Sequence, residues 1–166
     1  ALFARNGPGV LHADLAACAA WTSGPDAASK VKCPALVMIA GGIGITPFMS
    51  MLRSEAQADR LRPMVLLYSN SRPENAAYLD ELRKLEQRLD GFRLVLTMTE
   101  MKDSDNWRGE TRRIDADMVK EATSGLPRPH YYVAGAPDMA EDMRQMLDDM
   151  GIDDDDIHSE DFTGYT

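Results

Sequence analysis

The sequence predicts an α/β fold: a doubly wound five-stranded parallel sheet with helices on both faces. Three observations predict it. Short apolar runs of strand length recur from Pro34 onward. Segments with helical spacing of apolar residues separate them. A glycine-rich turn follows the first run directly.

Pro34 to Ala40 is a continuous apolar run, as expected of a strand buried on both faces. Gly41-Gly-Ile-Gly-Ile-Thr-Pro47 follows, then a helix-like segment to about Ala58. The second strand is Met64 to Tyr68, and Ser69 to Pro73 is a polar turn. The next helix is amphipathic. Tyr78, Leu82, Leu85 and Leu89 share one face, and Asp80, Glu81, Arg83, Lys84, Gln87 and Arg88 cover the others. The third strand is Phe92 to Thr99, and a charged loop through Trp107 leads to a short helix near Asp115 to Ala122. Tyr131 to Ala134 is the fourth strand. The last helix runs from about Pro137 to Met150, with Met139, Met143, Met146, Leu147 and Met150 as its apolar stripe and Gly151 as its C-cap. Ile157 to Phe162 is the fifth strand. Residues 1–33, with Gly7, Pro8, Gly9, Gly24 and Pro25, show neither strand-like nor helix-like periodicity. They form an irregular N-terminal segment, and 34–166 form one domain.

Such sheets bind ligands beyond the carboxyl ends of their strands, where strand order reverses. Three loops sit at such ends: 41–47, 69–73 and 135–138. Composition narrows the ligand. The 166-residue chain carries a net charge of −9, with acid concentrated at Asp153 to Asp156. That balance disfavours a nucleic-acid backbone and an anionic membrane surface. Any phosphate must be held locally. The acid run itself reads as a solvated turn. No apolar run reaches the roughly 20 residues of a membrane span, and no signal-peptide pattern occurs. Cys18 and Cys33 lack metal-ligand spacing and read as free thiols of a reducing cytosol. His12, His130 and His158 are scattered, so no metal site is expected.

The first loop carries the chemistry. Gly41, Gly42 and Gly44 admit close approach to the backbone. Thr46 reads as the helix N-cap and Pro47 as the first helical residue. Unpaired N–H groups and the dipole then make a pyrophosphate site. A tight strand-to-helix turn is the alternative. The loop is not the GxGxxG fingerprint, because Pro47 stands where a third small residue belongs, and it is not a P-loop. Trp107 reads as a loop anchor, with a ligand cover as the alternative. No Ser-His-Asp set or close carboxylate pair is identifiable.

Four segments together resemble the ferredoxin–NADP reductase superfamily. They are Gly41 to Ser50, Tyr68 to Leu82, Tyr131 to Met139, and Glu160 to Tyr165, in the family's order. The resemblance implies an NAD(P)-binding domain that positions nicotinamide for hydride transfer to FAD or FMN on a separate flavin-binding domain. It places Gly42, Gly44, Thr46 and Pro47 along the pyrophosphate and the nicotinamide ribose. Gly135 and Pro137 flank the nicotinamide, Ser69, Asn70 and Arg72 lie near the adenosine ribose, and Phe162 faces the flavin. Ala134 stands where many members have a cysteine that helps position nicotinamide and flavin.

The family's flavin motif, Arg-x-Tyr-Ser, is absent from the sequence. Arg5 to Leu11 faintly resembles the last strand of a flavin-binding barrel, so 1–33 reads as a remnant of such a domain. The chain alone is therefore expected to hold no flavin and to be nearly inactive. A cytoplasmic flavin reductase is expected, and a non-catalytic dinucleotide sensor is the alternative. Ferredoxin, a haem, an oxygenase, ferric chelates and free flavin all fit as the electron acceptor. The turn after the second strand holds Arg72 and no acidic residue before Glu74, which predicts preference for NADP over NAD.

Overall fold

Leu36–Gly41 (β1) is apolar throughout because it lies in the middle of a sheet covered on both faces. The computed structural model describes residues 34–58, 62–102 and 106–162. The irregular 1–33 segment, with Cys18, Cys33 and His12, lies outside the described residues, as do Gly164 and Tyr165. The sheet adds Met64–Asn70 (β2), Phe92–Met98 (β3), His130–Gly135 (β4) and Ile157–Asp161 (β5). All pairings are parallel and the order is β3-β2-β1-β4-β5. The chain winds outward from β1 to β3, then crosses back to β4, so strand order reverses between β1 and β4.

Alternation along the strands divides the core. Leu36, Met38, Ala40, Tyr68 and Tyr132 point to one face. Ile45–Ala58 (α1) and Leu79–Arg88 (α2) cover it with Phe48, Met49, Leu52, Leu82 and Leu85. Val37, Ile39, Val65, Leu67 and Val133 point to the other. There Ala116–Thr123 (α3) and Pro137–Asp149 (α4) supply Met118, Val119, Ala140 and Leu147. Each fully buried Leu, Ile or Phe contributes about 1.5–3 kcal/mol.

The ends of the elements correct the sequence reading in three places. First, Gly42–Gly44 forms a 3-10 turn that runs straight into α1. Thr46 is thus the second residue of α1 and Pro47 the third. The Thr46 hydroxyl donates back to the Ile43 carbonyl at 3.0 Å, so it does not cap the helix. Pro47 is tolerated because the first helical N–H groups have no intrahelical acceptor. Second, β2 continues through Ser69 and Asn70, which the sequence placed in the turn. Third, Tyr78 is left-handed (φ 60°), so α2 starts one residue later than expected. Leu79 takes the place of Tyr78 in the apolar stripe, and Tyr78 is 41% exposed. The Arg53 guanidinium lies 5.4 Å from the centre of its ring.

Other expectations match the structure. Gly151 (φ 79°) closes α4, donating to the Asp148 carbonyl at 2.8 Å, while Ile152 N–H donates to Leu147 at 3.2 Å. Trp107 anchors its loop. Its indole N–H donates to the Glu110 carbonyl at 3.0 Å, and its ring packs against the α1/α2-side core. Glu110 in turn bridges to Thr97 along the β3 edge.

Candidate functional site

The three loops named from the sequence meet at the carboxyl end of the sheet. In the first, Gly42 has φ 52°, where a side chain costs about 1–2 kcal/mol, and a Cβ there would meet nothing within 4 Å. The space above Gly42 is open. Gly44 differs. Its Cβ would stand 2.0 Å from the Ala134 carbonyl oxygen and 2.7 Å from Gly135 N. Gly44 therefore lets the loop pack on β4, backbone against backbone, and does not clear room for a ligand. Gly44, Pro47 and Ala134 are buried, and Thr46 is exposed. Ala134 supports the crossing with its main-chain carbonyl, while its methyl group lies in the core.

Electrostatics single out α1. It has no acidic residue in its first turn, and neither has the 3-10 turn before it. The first turns of α2, α3 and α4 hold Asp80 and Glu81, Asp117, and Asp138. Carboxylates at a helix start complement the dipole and compete with an external anion. The start of α1 thus leaves its positive end for a ligand, in a chain whose net charge is −9.

The third loop closes the crevice from the side of β4. Ala136 and Pro137 are exposed at the start of α4. Phe162 N–H donates to the Gly135 carbonyl at 2.9 Å, and Ala134 pairs with Glu160. Ala134, Gly135 and Phe162 are therefore neighbours.

The turn after β2 is built from side-chain bonds. Asn70 donates its amide to the Tyr68 hydroxyl at 3.0 Å and accepts from Ser71 N–H at 3.2 Å. Burial pushes the Tyr68 phenol pKa up, partly offset by the Asn70 amide and the Ala77 N–H. Asn75 donates to the Ser71 hydroxyl at 2.8 Å. Arg72 donates through Nε to Glu74 at 2.7 Å and through Nη1 to the Glu100 carbonyl at 3.0 Å. Sequence reasoning missed both acceptors. Glu74 lies beyond a proline, and Glu100 arrives from the far end of β3. Ser69 pairs with Gly41, so this turn lies beside the glycine loop.

Two further side chains at the site escape sequence reasoning: Ile43, 44% exposed at the loop tip, and Met139, whose sulfur lies against Gly41 and Gly135. Among the described residues, no three His, Cys, Asp or Glu side chains come together as a metal site.

Comparison with known proteins shows the family and the fold. Residues 38–145 match the oxidoreductase NAD-binding domain family. One subunit of the Na(+)-translocating NADH-quinone reductase of Methylococcus capsulatus is 29% identical over 133 residues, 78% of this chain and 33% of that protein. The chain spans about a third of the length of the curated relatives it matches. A ferredoxin NADP+ reductase from Neisseria gonorrhoeae, solved with bound FAD and NADP, superposes with a TM-score of 0.62 at 28% identity, covering 76% of this chain and 55% of that one. A flavohemoglobin from Malassezia yamatoensis, solved with FAD and heme, gives 0.67 at 25%, covering 78% and 32%. The chain belongs to the oxidoreductase NAD-binding domain family, within the ferredoxin–NADP reductase superfamily.

Proposed function

We propose that this domain holds NAD(P)H with its nicotinamide turned toward a flavin on another domain, as the reductant-binding half of a flavin reductase. The observation that carries the reading is the start of α1 at the β1/β4 reversal: an open Gly42, tight backbone packing beneath it, and no carboxylate in the first turn. These features fit a pyrophosphate. When bound, reduced nicotinamide supplies a hydride and the flavin accepts it.

This chain's residues bind and orient. Gly42 and Thr46 face the pyrophosphate, while Gly44 and Pro47 hold the loop from beneath. Gly135 and Pro137 flank the nicotinamide, and Phe162 stands at the flavin side. Ser69, Asn70 and Arg72 frame the adenosine ribose. No acid–base group is required of the domain, because hydride transfer to a flavin needs positioning first. FAD or FMN belongs to the partner domain. The reading places the domain in the cytoplasm, and no helix among the described residues is long and apolar enough to cross a membrane.

The test is to express the longest reading frame that contains this sequence and add NADH or NADPH without oxygen. Bleaching of a bound flavin supports the reductase. A protein that binds the dinucleotide but carries no flavin, and reduces none supplied, overturns the reductase in favour of a sensing module. The chain 1–166 alone is expected to oxidise NAD(P)H at background rate.

A further inference from the structure

β3 is an edge of the sheet, and its outer side is closed at every rung but one. Met64 N–H donates to the Gly91 carbonyl and Thr99 N–H to the Asn70 carbonyl, so the odd-numbered residues of β3 bond to β2. The even-numbered N–H groups therefore face outward, where an edge strand is left with unpaired donors. Phe92 N–H donates to the Leu89 carbonyl at 3.2 Å, Leu94 N–H to the Glu86 carboxylate at 2.7 Å, and Met98 N–H to the Glu110 carbonyl at 2.9 Å. Leu96 N–H, between them, has no partner among the described residues. There the edge opens into a cleft of about 460 Å³. Leu94 and Leu96 line it, α2 adds Arg83 and Glu86, and the loop before α3 adds Trp107 and Arg108. The two leucines and Trp107 are half-buried. The indole is fixed in place, because a Cβ on Gly109 would stand 2.5 Å from its ring. Arg83 and Arg108 make no hydrogen bond or ion pair among the described residues, in a chain whose net charge is −9.

We propose that this cleft is a second binding site, apart from the dinucleotide crevice, for a small aryl carboxylate. The ring of such a ligand lies on Leu94 and Leu96 against the Trp107 indole, which favours an aromatic partner. Its carboxylate accepts from Leu96 N–H and pairs with the Arg83 and Arg108 guanidiniums. Glu86 is spent on Leu94 N–H, so the lining side chains offer two positive charges against one negative. The cleft volume falls in the range of small-molecule sites, roughly 300–1,000 Å³. An added polypeptide strand fits less well, because one open rung between two closed ones gives it a single main-chain bond. Trp107 thus serves both roles that the sequence allows, anchoring its loop and walling a ligand.

The test titrates the whole nitrogen-labelled chain with naphthoate and follows its amide and indole signals, Trp107 being assigned by the signal lost in Trp107→Phe. Two controls are titrated beside it. Acetate keeps the charge without the ring, and naphthylmethanol keeps the ring without the charge. Naphthoate at millimolar concentration is expected to shift the Leu96 amide and the Trp107 indole N–H and to leave Gly42 and Gly135 unmoved. Both controls should bind at least about tenfold more weakly. Arg83→Gln combined with Arg108→Gln should weaken naphthoate by about tenfold and leave NAD+ affinity unchanged. An unmoved Leu96 amide, a control that binds as well as naphthoate, or an affinity unchanged in the double variant overturns the proposal. Displacement of naphthoate by NAD+ also overturns it, because the cleft would then belong to the dinucleotide site. The wild-type titrations decide the matter even if the variant does not fold.

Discussion

At the β1/β4 reversal Gly44 crosses β4 backbone against backbone, whereas at the turn after β2 side chains add bonds to one another and to the main chain. Gly44 lets its loop cross the Ala134 carbonyl with no room for a methyl group. The turn after β2 is held differently, by the Asn70–Tyr68 bond and by Arg72 on Glu74 and Glu100. The first arrangement has no rotamers to lose. The second is half-buried from Ser69 to Arg72 and rests on side chains that single substitutions can change. In the proposed cofactor reading, shape at the pyrophosphate end is set by glycine positions, whereas selectivity at the adenosine end is open to single side-chain changes.

The largest effect should come from Gly44. Gly44→Val is expected to lower stability by roughly 3 kcal/mol or more, the upper end for overpacking, because the obstacle is backbone and cannot swing away. Urea unfolding reads this as a lower midpoint, and an unchanged midpoint would break the contrast between the two regions. Gly42→Val should instead stay folded, at a strain cost of about 1–2 kcal/mol, and lose NAD+ affinity by about tenfold to hundredfold in calorimetry. Two glycines in one short loop then separate folding from binding.

The adenosine end should respond more weakly. The sequence alone predicts preference for NADP through Arg72. The structure places that guanidinium on a carboxylate, with the Arg72 and Glu74 side chains 31% and 62% exposed. A 2′-phosphate would have to share it with Glu74. Exposed pairs contribute about 0–1 kcal/mol, so wild-type affinities for NADP+ and NAD+ are expected to agree within about fivefold. Glu74→Gln should move the ratio toward NADP+ and Arg72→Ala should move it toward NAD+. A ratio unmoved by both variants would remove this turn from the cofactor site.

The smallest effect on binding is expected at Asp115, on the opposite face, which marks the change in stability alone. Its carboxylate caps α3 by accepting from Met118 N–H at 2.8 Å, and that bond, with Arg112 beside it, holds its pKa below the usual carboxylate value. A folded pKa below the unfolded one, about 3.9, gives stability above that value that is lost as pH falls through the folded pKa. Asp115→Ala should cost about 1 kcal/mol at neutral pH, with the difference from wild type vanishing in acid. NAD+ affinity should not change. A cost independent of pH would mean that the cap acts without its charge.

The parts of the molecule that depend on local pattern are legible in the sequence. The buried runs of β1 and β4 have one stable place in a parallel sheet, and the loops at their ends follow from it. Features set by distant contacts are not. Glu100 reaches Arg72 only because β3 pairs with β2, so no local pattern near Arg72 announces it. Met139 keeps its helical spacing, yet its neighbours Gly41 and Gly135 are defined by the reversal of strand order. Local pattern misplaces Thr46 and Tyr78 at helix starts, because a 3-10 turn and a left-handed residue shift each start away from the cap pattern.

Amide chemical-shift mapping of the labelled chain during titration with NAD+ tests most directly whether the pyrophosphate sits at the start of α1. The largest shifts are expected at Gly42, Ile43, Thr46 and Gly135, with smaller ones at Ser69 to Arg72 and none along α3. Shifts confined to the turn after β2, or strongest on the α3 face, would contradict a cofactor site at the β1/β4 reversal.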